Sequence, residues 1–561
     1  MFFQERGCDE NWRASSVDIA TGAIVPLTPP RGVQAEVQDL DYRFPDEMLF
    51  RHNARDKRFF DLYRINVVNG RSRLVYENRD YVEMLTDSRF RLRLAARYAA
   101  DGSAEWVERR GNAWIPFTTV PIGDVDATNL LDFSDDGNTL YILDSRGRDK
   151  AALVAIDMAT RQASVLAEDD EADIVAVDFE PRTRRPLAAL AIKDRRRWHA
   201  IDPTAAADLD RLARYGAGDP DFVSRSDDNS QVTVFLERDA ASGEYVMIDR
   251  VAGTVRRLFV QRAALAALEL RPMQPILIPA RGGLALNGYL TVPAATADAQ
   301  PCPMVLVVHG GPYDRDSWGF SATHQWLASR GYAVLSVNYR GSTGFGKAFV
   351  TAADREWGGR MHDDLIDAVD WAISRGFADR KRVAIWGGSY GGYSALWAAT
   401  RTPEVFACVV DQFGIANLIT FMATIPPYWG PWFSVWTNRL ADPRTQEGRA
   451  FLRERSPITH IEDARRPVLI AQGLRDVRVV AAESQQMVAA LKGRGVPVTY
   501  LTFADEGHGF ERPENRQAFA AVAEAFLAKH LGGTAQPIGD DFAGSTIRIE
   551  TGGELIPGFA K

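Results

Sequence analysis

The feature that most constrains this chain is a change of rhythm near residue 265. Before it, short β-type runs such as Leu140-Tyr141-Ile142-Leu143 and Val232-Thr233-Val234-Phe235 are broken by turn dipeptides, and continuous helical periodicity is scarce. Apolar runs of this length, bounded by turn signals, read as strands. After it, apolar runs at 304–308, 333–337, 383–386, 468–471 and 498–503 alternate with stretches of helical length and pattern at 363–374, 393–400 and 513–531. Strand–helix alternation means βαβ units and a parallel sheet. The chain is therefore expected to hold an all-β half followed by an α/β half.

The first half carries a weak repeat. An Asp or Asn followed four positions later by a turn residue recurs at Asp18, Asn66, Asp157 and Asp249. A second phase, Ser134-Asp135-Asp136-Gly137 and Ser226-Asp227-Asp228-Asn229, keeps the same spacing. The unit is about 46 residues, with some copies degenerate. A four-stranded antiparallel sheet of that size cannot bury both faces alone, so neighbours pack radially into a β-propeller. A β-sandwich with coincidental spacing is the alternative. The helical stretch at 205–214 reads as a degenerate connection between blades.

Composition narrows the function classes. Hydrophobic residues at 46%, charged residues at 25% and a net charge of −8 describe an ordinary globular protein. The basic residues are scattered, so no nucleic-acid partner is expected. Three dispersed cysteines, Cys8, Cys302 and Cys408, allow neither a disulfide framework nor a CxxC metal pair. The expectation is no metal and no cofactor. No apolar run is long enough to span a bilayer and no secretory leader is visible, so a cytoplasmic protein with no membrane partner is expected.

The chemistry sits in the second half. Gly387-Gly388-Ser389-Tyr390-Gly391 fits G-x-S-x-G, with an expected strand ending before it and a helix beginning after it. That is the setting of a nucleophile elbow, in which a strained turn lifts the serine hydroxyl above the sheet. A Gly-rich turn whose serine merely caps the helix is the bland alternative. A serine hydroxyl needs a base, and the base needs an orienting acid, in the chain order Ser, acid, His. His508, in Asp505-Glu506-Gly507-His508-Gly509-Phe510, and Asp476, in Gly473-Leu474-Arg475-Asp476-Val477-Arg478, follow expected strands in that order. Asp505 competes for the acid role, but it lies three residues from His508 and its loop would have to reverse sharply. His309, His460, His530, His52 and His199 fit the base role less well by position. His324 and His362 are expected to pack or cap. The oxyanion donors are expected to be the backbone N–H groups of Tyr390 and of Gly311, the latter in His309-Gly310-Gly311-Pro312-Tyr313. The aromatic stretch with Tyr428, Trp429 and Phe433 either lines a substrate pocket or caps the sheet.

Taken together, His309–Pro312, Asn338-Tyr339-Arg340-Gly341-Ser342-Thr343-Gly344, Trp357-Gly358-Gly359, Met361-His362-Asp363-Asp364, Gly388-Ser389-Tyr390-Gly391-Gly392-Tyr393, Asp476–Val479 and Gly507-His508-Gly509-Phe510 resemble the prolyl oligopeptidase family of serine peptidases. The acylaminoacyl-peptidase-like branch is the nearest in pattern. The resemblance covers nearly the whole chain. It implies a propeller that shields the active site of an α/β-hydrolase, admits short peptides and excludes folded proteins, and it leaves a homo-oligomer open. It also implies that Gly311 N–H serves the oxyanion here, since His309 stands where other branches place a tyrosine. Dipeptidyl peptidases of the family hold the substrate amino end with adjacent glutamates. The chain has no Glu-Glu doublet, which weighs against that activity. Leu474 and Arg475 are bulkier than the family pattern before the aspartate, so that loop is expected to differ in shape. A carboxylesterase on the same scaffold and a non-catalytic propeller scaffold are the competing functions.

The expected division is a β-propeller over 1–265, an α/β-hydrolase domain over 266–531 and a loosely held Gly-rich tail over 532–561. Six units of about 46 residues need about 276 residues and seven need about 322. The copy at Asp18 already lies late in its own unit. The propeller thus reads as short by about one blade, smaller or open, with an amino terminus that weakens the inference from the missing leader.

Overall fold

The computed structural model describes residues 1–294 and 301–559. The first half forms six antiparallel sheets of three, four, four, four, three and four strands, consecutive in the chain. The three strands of blade 1 are Phe2–Gln4, Arg13–Val17 and Ile24–Pro26. Blade 6 ends with Thr254–Val260. The repeat seen in the sequence now has a cause. Asp18, Asn66, Asp157 and Asp249 each open the last hairpin of a blade, and each side chain accepts the backbone N–H three residues on, at 2.7, 3.0, 2.7 and 2.8 Å. The turn then needs a left-handed residue, supplied by Gly22, Gly70 and Gly253 and, in blade 4, by Arg161 at φ 65°. Because Asp18 marks a last hairpin, the three strands of blade 1 correspond to the outer three positions of a four-stranded blade.

Apolar clusters join neighbouring blades. Phe50 and Ile65 of blade 2 meet Ala14 and Leu27 of blade 1, and Leu49 and Leu62 meet Leu92 and Val107 of blade 3. The helical stretch foreseen at 205–214 is Pro203–Tyr215, capped by the Asp202 side chain on Thr204 N–H at 2.8 Å. It packs between blades 5 and 6 through Ala205 and Leu212.

The second half is a nine-stranded sheet. In chain order its strands are β1 (Met273–Pro279), β2 (Ala285–Thr291), β3 (Cys302–Val308), β4 (Ala333–Val337), β5 (Ala378–Gly388), β6 (Cys408–Gln412), β7 (Val468–Gly473), β8 (Val498–Phe503) and β9 (Ile547–Thr551). Their spatial order is β1-β2-β4-β3-β5-β6-β7-β8-β9. The pairings from β4 through β8 are parallel, and every crossover is helical or long. Two clusters, one on each face of the sheet, form the domain core. The architecture is thus a six-bladed β-propeller followed by an α/β-hydrolase domain.

The 532–561 segment departs from the expected loose tail. Its Ile-Arg-Ile-Glu-Thr run, 547–551, adds to the sheet edge as β9, antiparallel to β8, and Ile556 is buried against the helix side of the core. Alternating apolar residues found an unpaired strand edge, which local glycine content could not reveal.

The two halves dock closely. Arg315 donates to the Ile192 and Lys193 carbonyls at 2.7 and 2.9 Å. Lys347 reaches Asp124 at 2.8 Å, and the buried Arg439 reaches the Ile122 carbonyl at 2.8 Å and Asp126 at 2.5 Å. Among the described residues no helix is long and apolar enough to cross a membrane.

Candidate active site

Strand β5 runs straight into Ser389, and the helix Tyr390–Arg401 starts immediately after it. Ser389 holds φ 58° and ψ −120°. That left-handed, strained turn is costly for a residue with a side chain and persists only where its surroundings enforce it. The neighbouring glycines explain how. A Cβ on Gly387 would collide with the Gly391 backbone, and one on Gly391 would collide with the Val308 carbonyl. The strand and the elbow helix approach too closely for any other residue. The Ser389 amide is fixed from the side, donating to the Gln412 carbonyl of β6 at 3.0 Å.

The structure brings His508 and Asp476 together from the loops after β8 and β7. His508 Nδ1 lies 2.7 Å from Asp476 Oδ2. Asp476 is buried, and its other oxygen accepts the N–H groups of Arg478 and Val479, both at 2.9 Å. An acceptor so held fixes Nδ1 as the donor side of the ring and leaves Nε2 on the opposite edge. No hydrogen bond joins the Ser389 hydroxyl to His508 in this structure. The imidazole is steadied by Phe413, whose ring centroid is 4.8 Å away and which also packs over Gly388. Asp505 is spent elsewhere: it accepts from Arg512, Asn515 and Thr546, which hold its carboxyl at about 2, below the usual range.

The expected oxyanion donors flank the serine. Tyr390 N–H is the first amide of the elbow helix and has no carbonyl one turn back. Gly310 stands against Ser389, and a Cβ there would come 3.4 Å from the serine Cβ. The Gly310 carbonyl accepts from His309 Nδ1 at 2.8 Å, so the trans N–H of Gly311 faces the opposite way. His309 is pinned in turn by the Ser342 hydroxyl at 2.9 Å and by stacking on Tyr339. Burial lowers its pKa to about 4, so it props this loop as a neutral ring. Gly311 itself sits at φ 113°, where an added Cβ would come 2.8 Å from Tyr313 N.

A cavity of about 940 Å³ lies between the propeller and the hydrolase domain. Tyr428, Trp429 and Trp436 line it from one side, and Trp12, Glu36 and Asp126 from the other. Trp357 joins its wall to the elbow, with its ring centroid 4.6 Å from that of Tyr390. Phe433, expected here with Tyr428 and Trp429, is not on the cavity wall. It opens the helix Phe433–Arg439 and packs against the core beneath the Arg444 guanidinium.

Four residues of the site escaped the sequence reading. Glu506, fully buried, accepts from Glu511 N, Arg512 N and Asn515 Nδ2 at 2.9, 3.0 and 2.6 Å and so shapes the His508 loop. Glu10 of the propeller accepts from Arg478 Nε at 2.9 Å and from the Tyr428 hydroxyl at 3.2 Å. Arg478 and Phe413 are the other two. Only Glu506 carried a local signal, its place two residues before the histidine. Other His residues are engaged elsewhere: His324 joins Thr291 and Ser336, His362 joins Thr402, and His199 pairs with Asp169.

Comparison with known proteins places this geometry. The profile described as the prolyl oligopeptidase family matches residues 318–534. Dipeptidyl aminopeptidase BIII of Pseudoxanthomonas mexicana is 43% identical over the whole of this chain and 83% of its own length. The acylamino-acid-releasing enzyme of Arabidopsis thaliana is 32% identical over 40% of this chain and 30% of its own. A Mycobacterium tuberculosis puromycin-hydrolyzing peptidase shares the fold, with a TM-score of 0.74 at 22% identity over 95% of this chain and 84% of that one. A likeness of 43% along the full length of this chain, together with the matching profile, leaves one conclusion: the chain belongs to the prolyl oligopeptidase family of serine peptidases.

Proposed function

We propose that the chain hydrolyses short peptides through an acyl-enzyme on Ser389, with His508 as general base and Asp476 as its orienting acid. The observation that carries this reading is the strained serine turn beside a histidine whose Nδ1 is held by a buried carboxylate. Ser389 Oγ attacks the scissile carbonyl carbon as its proton passes to His508 Nε2. The oxygen that gains charge is held by the N–H groups of Tyr390 and Gly311. His508 then gives that proton to the departing amine, the C–N bond breaks, and the acyl group stays on Ser389. Water, deprotonated by His508, attacks the ester; the C–O bond to Ser389 breaks as His508 returns that proton to Ser389 Oγ, which frees the acid product and the enzyme. Tyr428 and Trp429 form an apolar wall for the substrate, and the propeller over the cavity limits its size.

The name of the whole-chain relative favours release of dipeptides from a free amino end. The missing glutamate doublet favours the second reading, action on blocked amino ends. A dipeptide anilide with a free amino end and an N-acetyl-aminoacyl anilide, each with the anilide at the expected scissile bond, separate the two. Preference for the free amine supports dipeptidyl release, and preference for the acetylated substrate supports the acylaminoacyl reading. An enzyme that cleaves short acyl esters but neither anilide is a carboxylesterase. Labelling by a small fluorophosphonate that persists in Ser389→Ala rejects Ser389 as the nucleophile.

A further inference from the structure

Beneath the nucleophile turn lies a carboxyl group that this mechanism does not use. Asp411 on β6 pairs in register with Gly387 of β5 and Ile470 of β7. It has no solvent exposure, and neither carboxyl oxygen has a hydrogen-bond partner. No cation pairs with it among the described residues. Its carboxyl fills the space that the absent Cβ atoms of Gly392, on the elbow helix, and Gly414 leave open.

That niche is tied to both reacting groups. The residue after Asp411 is Gln412, whose carbonyl accepts the Ser389 amide at 3.0 Å. The next is Phe413, held at φ 43° with its ring against His508. A shift at Asp411 therefore moves the serine amide and the imidazole support together.

Of its surroundings only the Gly414 backbone amide favours a charge there, and burial outweighs it. Gly387, Ile470 and Gly392, which pack on it from β5, β7 and the elbow helix, carry no ionisable group. The Tyr500 hydroxyl, two strands away on β8, has no hydrogen-bond partner either. Glu483, on the helix Ala481–Gly493, is engaged by the Ala416 and Asn417 amides and the Thr420 hydroxyl. An unpaired buried carboxyl takes up a proton rather than remain charged.

We propose that Asp411 works as a neutral carboxylic acid and is a positioning residue for Ser389 and His508. The proposal rests on the triad reading above. When Asp411 loses its proton, the charge has no cation in the niche to pair with, the end of β6 shifts, and the serine and imidazole lose alignment. Burial pushes the group up to about 8, so the shift belongs to the alkaline side of the activity profile.

The test is the pH dependence of kcat for the wild type and Asp411→Asn on a short peptide anilide. If only the neutral form is active, wild-type kcat falls about tenfold by pH 9, with KM little changed. Asp411→Asn, which cannot ionise, stays within about twofold over the same range. An alkaline fall that is absent from the wild type, or that persists unchanged in Asp411→Asn, overturns the proposal. Should the Asn variant not fold, Asp411→Val removes the ionisation with a side chain suited to a strand, and the same outcomes apply. Fluorophosphonate labelling of wild-type Ser389 at pH 7 keeps the two readings apart. Failure to label sinks the triad, whereas labelling with an unchanged profile sinks only the role of Asp411.

Discussion

The Cys8 thiol of blade 1 donates to the Glu506 carboxylate at 3.2 Å, two residues before His508. Cys8 and Glu10 both hold left-handed backbones, at φ 53° and 51°. Between them they bring one propeller loop against both loops that carry the candidate base and acid. Glu506 is approached by Cys8, and Arg478, two residues after Asp476, by Glu10. The propeller thus supports the site directly as well as covering it.

Removing Glu506 should therefore cost both stability and turnover. Glu506→Ala leaves the Glu511 and Arg512 backbone amides and the Cys8 thiol without their acceptor, a loss of about 2–4 kcal/mol. The His508 loop loosens, and kcat is expected to fall about tenfold to a hundredfold with a smaller change in KM. Thermal melts and steady-state kinetics on one preparation check both effects.

The two aspartates near His508 should behave differently. Asp476→Asn is expected to lower kcat by about ten-thousandfold, because the imidazole loses the acceptor that fixes its tautomer. Asp505→Asn should stay within about threefold, since that carboxyl is bound to Arg512, Asn515 and Thr546 and never meets the ring. Equal losses in the two variants would reverse the assignment.

Gly391→Ala tests the elbow by steric means. The new Cβ would meet the Val308 carbonyl of β3, a backbone atom that cannot swing aside. The expected cost is about 3 kcal/mol or more, with loss of fluorophosphonate labelling. Gly430→Ala, in the same domain with open space around it, should leave both unchanged.

Glu83 gives a pH signature of stability. Burial raises its pKa to about 7, only partly offset by Arg51. The folded value lies above the unfolded one, so the native state holds a proton that the unfolded chain has released between about pH 4.3 and pH 7. Stability conferred by the neutral form is complete below that window and is lost as pH rises through it. Glu83→Gln should therefore melt with the wild type at pH 4 and at progressively higher temperature than it up to pH 7, by roughly 1.4 kcal/mol per pH unit at most. A constant difference in melting temperature from pH 4 to pH 8 would refute this.

The sequence by itself determined the elements whose signals are local. The Asp-to-Gly spacing marked blade hairpins because a side chain reaching three residues on, followed by a left-handed residue, is a local device. The elbow was legible because Gly387, Gly388, Gly391 and Gly392 surround Ser389 within one turn. His508 and Asp476 were legible because each sits in a short loop directly after a parallel strand, in an order the sheet imposes.

What only the tertiary structure decided is non-local. Asp476 and Asp505 are equal candidates in chemistry until Arg512, Asn515 and Thr546 are seen to occupy one of them. Phe433 belongs with Trp429 in the sequence, yet only Trp429 lines the cavity. The run at 547–551 becomes a strand only because β8 offers it an edge. The pairings of Cys8 with Glu506 and of Glu10 with Arg478 span more than four hundred residues. Whether a buried carboxyl has a partner, as Asp476 does and Asp411 does not, depends on side chains delivered by distant strands and loops. That is why its charge state follows from the packed fold and could not be read along the chain.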